Sequence, residues 1–341
     1  MRTTGPASLI LVIVVVALVS SAAYAQSTLD IIRTRGAIKC GVGPDAPGFF
    51  QIDASGHTSG LSVDICRAIS AAIFGVPNKA VFVPLSPAER FVKLRSGEID
   101  VLTRNAPWTL HFEATEDVLY GPVVFYAGQT FLVPKRLGLG AVRDLADHVV
   151  CVSAGTSTQL NVEEYSRANG IHIVSLPVRD GQEGLGALAA GRCEAIGGQV
   201  ATLMGLRGIQ PNPDDFVVLP ESIAKEYLAP VTRRDDPRFF ALVRWTILAL
   251  IAAEEKGITS ENALAMQRSA DPEIARLLGA SPGIGTALGI DDAWVANMVH
   301  TVGNYGEIFD RNLGEGSSIK MKRGLNDLWF RGGLMSAPPI Q

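Results

Sequence analysis

The side chains best placed to hold a small molecule lie in two short polar stretches. One is Thr103-Arg104-Asn105-Ala106-Pro107-Trp108-Thr109, and the other is Gly155-Thr156-Ser157-Thr158. The second opens a helical pattern, so its hydroxyls and the unpaired N–H groups of a first turn suit a carboxylate or other anionic oxygen. An ordinary helix N-cap uses the same residues. Gly197-Gly198-Gln199 adds an amide, and Phe49 and Phe50 add aromatic surface. Phe49 and Trp108 suit either the apolar part of a ligand or a packed core. Catalytic spacing is missing by contrast: there is no His-Glu-x-x-His, Gly-x-Ser-x-Gly, P-loop or Cys-x-x-Cys, and the five histidines are scattered singletons. Gly283-Ile284-Gly285 lacks both the third glycine and the preceding strand of a dinucleotide fingerprint, and reads as a loop. If the chain is an enzyme, such as a lyase or dehydratase, its acid or base would come from Glu98, Asp100 or His111, each more readily a strand-end or surface residue.

The elements that must carry these clusters follow from hydrophobic period. Short strands at 37–42, 80–85 and 99–102 alternate with helical spacing at 61–74 and 87–96. The rhythm restarts with strands at 148–153, 172–177 and 194–196 and helices at 159–169 and 182–190. Such βαβα order implies parallel sheets flanked by helices, and both polar stretches then fall at C-terminal strand ends, where open α/β sheets bind ligands. Two such units suggest two lobes, joined by extended segments at 123–133 and 227–232 that cross twice and make a hinge. A long helix at 237–256 should pack on the first lobe. Beyond residue 271 the chain is Gly-rich and short-pieced, with Trp294, Tyr305, Phe309 and Trp329 as expected buried anchors.

The 341 residues are 47% apolar and carry a formal charge of −4, which fits an ordered globular protein and excludes the basic footprint of a nucleic-acid binder. Arg2, the apolar run 9–19 and Ala23-Tyr24-Ala25 form the charged, hydrophobic and small-residue parts of a cleaved signal peptide, residues 1–25. Export to an oxidising compartment favours pairing of Cys40, Cys66, Cys151 and Cys193. Four cysteines allow three connectivities; locality favours Cys40 with Cys66 and Cys151 with Cys193, one staple per lobe.

Several longer segments carry a resemblance. They include Cys40-Gly41-Val42, Gly60-Leu61-Ser62-Val63-Asp64-Ile65-Cys66-Arg67-Ala68, Glu89-Arg90-Phe91, Gly97-Glu98-Ile99-Asp100-Val101-Leu102 and Val302-Gly303-Asn304-Tyr305-Gly306-Glu307-Ile308-Phe309-Asp310-Arg311-Asn312. On these the chain resembles the type II periplasmic solute-binding proteins of polar amino-acid ABC transporters, especially the general L-amino acid-binding group. The resemblance implies an α/β, two-lobe periplasmic-binding-protein type II fold, with two parallel-sheet lobes joined by two hinge strands. The expected division is 1–25 signal peptide, 26–126 first lobe, 132–226 second lobe, and 230–341 returning to the first lobe with a C-terminal extension.

It further implies a periplasmic monomer without cofactor or metal, taking an amino acid or related small polar carboxylate and handing it to an inner-membrane ABC permease. A sensing subunit that presents its closed form to a receptor is the third possibility. Ligand residues implied are Phe49, Arg104, Asn105, Trp108, Thr109, Thr156, Ser157 and Gln199. The chain departs from the family pattern at several positions: the arginine that usually clamps the α-carboxylate aligns with Phe112, the aspartate that usually meets the α-ammonium aligns with Gln199, the usually Thr-rich first-lobe loop reads Ala106-Pro107, and the usual cleft tryptophan aligns with Thr58.

Overall fold

The computed structural model describes residues 26–43, 46–104 and 106–340. The expected signal peptide and Asn105 lie outside the described residues. The first sheet runs Ala80–Pro84, Ile38–Val42, Val101–Leu102, Val231–Arg233, Val118–Tyr120, with the first three strands parallel and the last two antiparallel. The second runs Phe216–Val218, Phe125–Pro134, Ala195–Gln199, Val149–Ser153, Val174–Val178, and its last three strands are parallel.

Strand Phe125–Pro134 does two jobs because it is ten residues long. Its second half pairs inside the second sheet, while its first half pairs antiparallel with Ala224–Leu228, setting Phe125 opposite Leu228 and Gln129 opposite Ala224. These two strands form the double crossing between lobes. Pro230, which has no N–H to offer a ladder, separates Ala224–Leu228 from Val231–Arg233.

The first lobe holds the larger core. Helix Leu61–Phe74 buries nearly its whole circumference, and helix Pro237–Glu255 buries Phe239, Val243, Ile247 and Leu250 against it. Asp236 starts the second helix by accepting from Phe239 N at 2.9 Å, with Pro237 at the first helical position. Trp294, Tyr305 and Phe309 are buried as expected, but Trp329 is 62% exposed. It lies in a one-turn helix, Trp329–Arg331, with its ring edge-on to Phe330 rather than in the core.

The extension also grips the crossing. Asn326 accepts from Tyr126 N at 2.6 Å and donates to Tyr126 O at 3.0 Å, and the Tyr305 hydroxyl donates to Val124 O at 2.8 Å. Arg323 holds the extension down through a paired contact to Glu254 at 3.0 and 3.1 Å.

Both disulfides join the locally favoured partners, Cys40 with Cys66 and Cys151 with Cys193. Boundaries differ from the sequence reading at two places near the cleft. The helix expected at 87–96 is Arg90–Arg95, because Glu89 folds back to accept from Ser86 N and Oγ and holds 86–89 as a turn. The helix expected from 159 begins at Ser157, so half of the second polar stretch is helical.

Candidate functional site

The C-terminal ends of strands from both sheets meet across one polar cleft of about 870 Å³, including the solvent at its mouth. The first lobe supplies Ala46, Pro87, Arg90, Arg104 and Pro107. The second supplies Ser153, Thr156 to Thr158, Arg179 to Gly181, and the segment from Ile196 through Leu206 in part. The lobes touch beside it: Ala201 packs in the first-lobe core, and a Cβ placed on Gly205 would lie 2.5 Å from Cβ of Pro47.

On the second-lobe wall, Gly155 adopts φ +68°, a conformation open to glycine, and turns strand Val149–Ser153 into helix Ser157–Asn169. Thr156 occupies the N-cap position but spends its hydroxyl on Ser153 O at 2.6 Å, so no side chain caps the first-turn N–H groups. The Ser157 hydroxyl donates to Glu226 and accepts from Gln129 Nε2 at 3.1 Å. Glu226, 4% exposed on the crossing strand, also accepts from Gln129 Nε2 and from the side chain of Gln199. Burial pushes the Glu226 carboxyl up; these donors, with the charge of Arg90, pull the other way without reversing it.

The first-lobe wall carries the cations. Arg90 is 2% exposed, and its guanidinium lies 4.7 Å from the Phe91 ring centre and 4.8 Å from that of Phe112. Arg104 is 7% exposed and donates Nη1 to Leu85 O at 2.7 Å. The Nε groups of both arginines are buried without a hydrogen-bond partner, as is the Thr202 hydroxyl on the opposite wall. Among the described residues neither guanidinium has a carboxylate at ion-pair distance. Burial, compounded by the charge of Arg90, pushes Arg104 down to about 9; burial also lowers Arg90, although Tyr120, Glu116 and Glu226 oppose it.

The structure therefore brings together Arg104, Thr156, Ser157 and Gln199. It does not bring the aromatic residues to them. Phe49 is 2% exposed in the first-lobe core, edge-on to Phe125 at 5.5 Å. Trp108 stacks on Tyr120 at 6.0 Å and donates Nε1 to Glu113 at 2.6 Å, outside the cleft lining. Thr109 caps helix Leu110–Thr115 by accepting from Phe112 N. Of the acid–base candidates, Asp100 is tied to Arg35 and to Lys39 N, Glu98 to Lys93, and His111 is exposed; none lines the cleft.

Two residues were missed. Arg90 shares a helical face with the buried Phe91 and Leu94, and Glu226 shares a strand face with the buried Leu228. A charge at an apolar position of each period was the available signal.

Two sheets crossed twice by the chain, with a polar cleft between their C-terminal edges, define a two-lobe solute-binding protein. The chain belongs to the bacterial extracellular solute-binding proteins, family 3, which match residues 38–261. It is 42% identical over 325 residues, 95% of each chain, to the general L-amino acid-binding periplasmic protein of Rhizobium johnstonii. It is 41% identical over 326 residues, 95% of this chain and 96% of the other, to the glutamate/glutamine/aspartate/asparagine-binding protein of Rhodobacter capsulatus. A solved ABC-transporter periplasmic binding protein from Brucella ovis with glutathione bound superposes with TM-score 0.90 at 42% identity, covering 92% of this chain and 99% of that one. The family is that of amino-acid ABC transporter solute-binding proteins. No helix among the described residues is long and apolar enough to cross a membrane.

Proposed function

We propose that this protein is the periplasmic capture component of an amino-acid ABC transporter. It closes two lobes, 26–126 with 230–341 and 132–226, on a small carboxylate-bearing solute and presents it to an inner-membrane permease. One observation carries the reading: buried, ion-pair-free arginines face uncapped helix amides across a cleft to which both lobes contribute. An unpaired buried charge is costly, and an anion entering between the lobes relieves that cost in the closed form alone. Closure is then driven by contacts completed from both sides.

The ligands named for the similar proteins, the amino acids and glutathione, share an α-amino carboxylate, which fits this donor set. Thr156, Ser157 and Gln199 bind from the second lobe and Arg104 from the first, while Phe49, Trp108 and Thr109 support the walls. The protein is a monomer without cofactor and reaches the periplasm through a cleaved signal peptide.

Isothermal titration against the common amino acids, small dicarboxylates and glutathione, with NMR of the same mixtures, tests this. Saturable binding with lobe closure in X-ray scattering and no new resonances is expected. Product formation overturns it in favour of a lyase, and failure of every solute overturns capture.

A further inference from the structure

We propose that Glu226 is a proton-linked positioning residue of the hinge. Its carboxyl is neutral while the lobes are closed, gives its proton to solvent as they part, and takes one up again on closure. Capture then draws a proton from solution whatever the solute carries. The inference rests on the capture reading, since closure is the step to which the proton is tied.

Three observations carry it. Glu226 is 4% exposed on strand Ala224–Leu228, in the crossing between the lobes. Ser157 and Gln129 both donate to its Oε1 and Gln199 adds a donor, yet Oε2 is buried without a hydrogen-bond partner. Among the described residues, no cation stands at ion-pair distance from either oxygen. An ionised carboxylate enclosed in this way is costly, and a proton on it removes the charge that makes it so.

The enclosure consists largely of cleft wall. Helix Ser157–Asn169 presents Ser157, strand Ala195–Gln199 presents Gln199 and strand Phe125–Pro134 presents Gln129, none of them titratable here. Helix Arg90–Arg95 presents Arg90, whose charge faces the carboxyl. Ser157 and Gln199 line the cleft from the second lobe and Arg90 lines it from the first. The first-lobe loop also reaches the same strand, where Trp108 N donates to Tyr227 O at 2.7 Å, one residue from Glu226. Separation of the two walls therefore takes Arg90 away and lets water reach the carboxyl. In the closed form burial outweighs the pull of Arg90, so the proton is held more tightly there.

A group that holds its proton more tightly in one state favours that state at low pH. Affinity should be greatest in acid and should fall as pH rises from the ordinary carboxyl range through the raised one. The limit is about tenfold per pH unit, reached where one full proton is linked.

Titration calorimetry from about pH 5 to about pH 7.5, with L-glutamine and in parallel L-glutamate as probes, provides the test. Repeating each titration in buffers of different ionisation enthalpy counts the protons. The parent should take up part of a proton, and at most about one, on binding. Glu226→Gln, which cannot titrate, should lose both the uptake and the slope of affinity with pH. Asp100→Asn is the control: this carboxyl is also buried, but it is tied to Arg35 and Lys39 N outside the cleft, so the slope should persist. Should Glu226→Gln not fold, infrared difference spectra of the parent decide the matter, through a protonated-carboxyl band that grows on ligand addition.

The proposal is overturned if the parent takes up no proton, if its affinity rises with pH, if the uptake survives Glu226→Gln, or if no such band appears. Each of these leaves capture standing. If no solute binds, in this pair or in the wider panel above, capture falls and scattering from the ligand-free protein decides the inference alone. The parent should then be more compact at about pH 5 than at about pH 7.5 and Glu226→Gln should not change; identical curves for the parent at both overturn it.

Discussion

Gly205→Ala separates closure from stability. Gly205 lies inside helix Val200–Gly208 of the second lobe, and Pro47 lies in the loop after the first-lobe strand Ile38–Val42. A Cβ on residue 205 would stand 2.5 Å from Pro47 Cβ, 3.1 Å from its carbonyl oxygen and 3.2 Å from its Cγ. These are backbone and ring atoms, which cannot swing aside as the end of a long side chain can. Forcing such an overlap costs about 1–3 kcal/mol. Both partners belong to different lobes, so the open form escapes the overlap and the whole cost falls on closure. The expected result is affinity reduced by about 5- to 150-fold.

Alanine in a helix interior is also worth about 1 kcal/mol more than glycine, so the ligand-free protein should melt at the same or a higher temperature. Gly186→Ala, in helix Gly181–Ala189 with nothing near its added Cβ, is the control and should keep full affinity. Calorimetry gives the affinities, and scattering with and without ligand gives the shape. Unchanged affinity in Gly205→Ala, or a fall in melting temperature equal to the loss of binding, would refute the reasoning.

Three further outcomes follow from the same structure. Replacing Cys151 and Cys193 together by serine should destabilise by about 4 kcal/mol and Cys40 with Cys66 by about 3.5 kcal/mol, from closed loops of 42 and 26 residues, read by urea unfolding; equal melting of oxidised and reduced protein would contradict this. Burial raises the folded-state pKa of Glu226 and Asp100. Their contribution to stability is thus complete below the ordinary carboxyl values and is lost as pH rises through the raised ones. Glu226→Gln should flatten the decline in unfolding free energy above pH 4.5, and curves parallel to the parent's would refute the assignment. Asn326→Ala leaves the backbone N–H and carbonyl of Tyr126 without their partner and should cost about 1–3 kcal/mol, with faster amide exchange at Tyr126; unchanged protection would show the contact to be dispensable.

Much of the scaffold was legible from period alone. Helix 61–74 is found at its expected bounds because Gly75 closes it at φ +74° and its apolar spacing is unbroken. The long helix is found from Pro237 because Asp236 and Pro237 are a strong start signal. Helix 87–96 was read too long because Ser86 and Glu89 bond locally, a competition that apolar spacing does not register.

The cleft was half legible. Thr156, Ser157 and Gln199 follow from the rule about strand ends. Phe49 carries no mark in the sequence that separates a ligand platform from a core ring, and only tertiary packing shows it buried. Arg90 and Glu226 were visible only as charges on apolar faces.

The grip of Asn326 and Tyr305 on Tyr126 and Val124 has a mechanical consequence. Strand Phe125–Pro134 meets Ala195–Gln199 only from Gln129 onward, so near Tyr126 one of its edges would stand open. The extension plugs that edge and makes the first few residues of the crossing part of the static half. The fulcrum is thereby pushed outward to the short span between Ala127 and Gln129 and its opposite residues Glu226 and Ala224. Glu226 sits on that fulcrum while bonded to Ser157 and Gln199, so any swing of the moving half must turn about, or tear, the same carboxylate that braces the ligand wall.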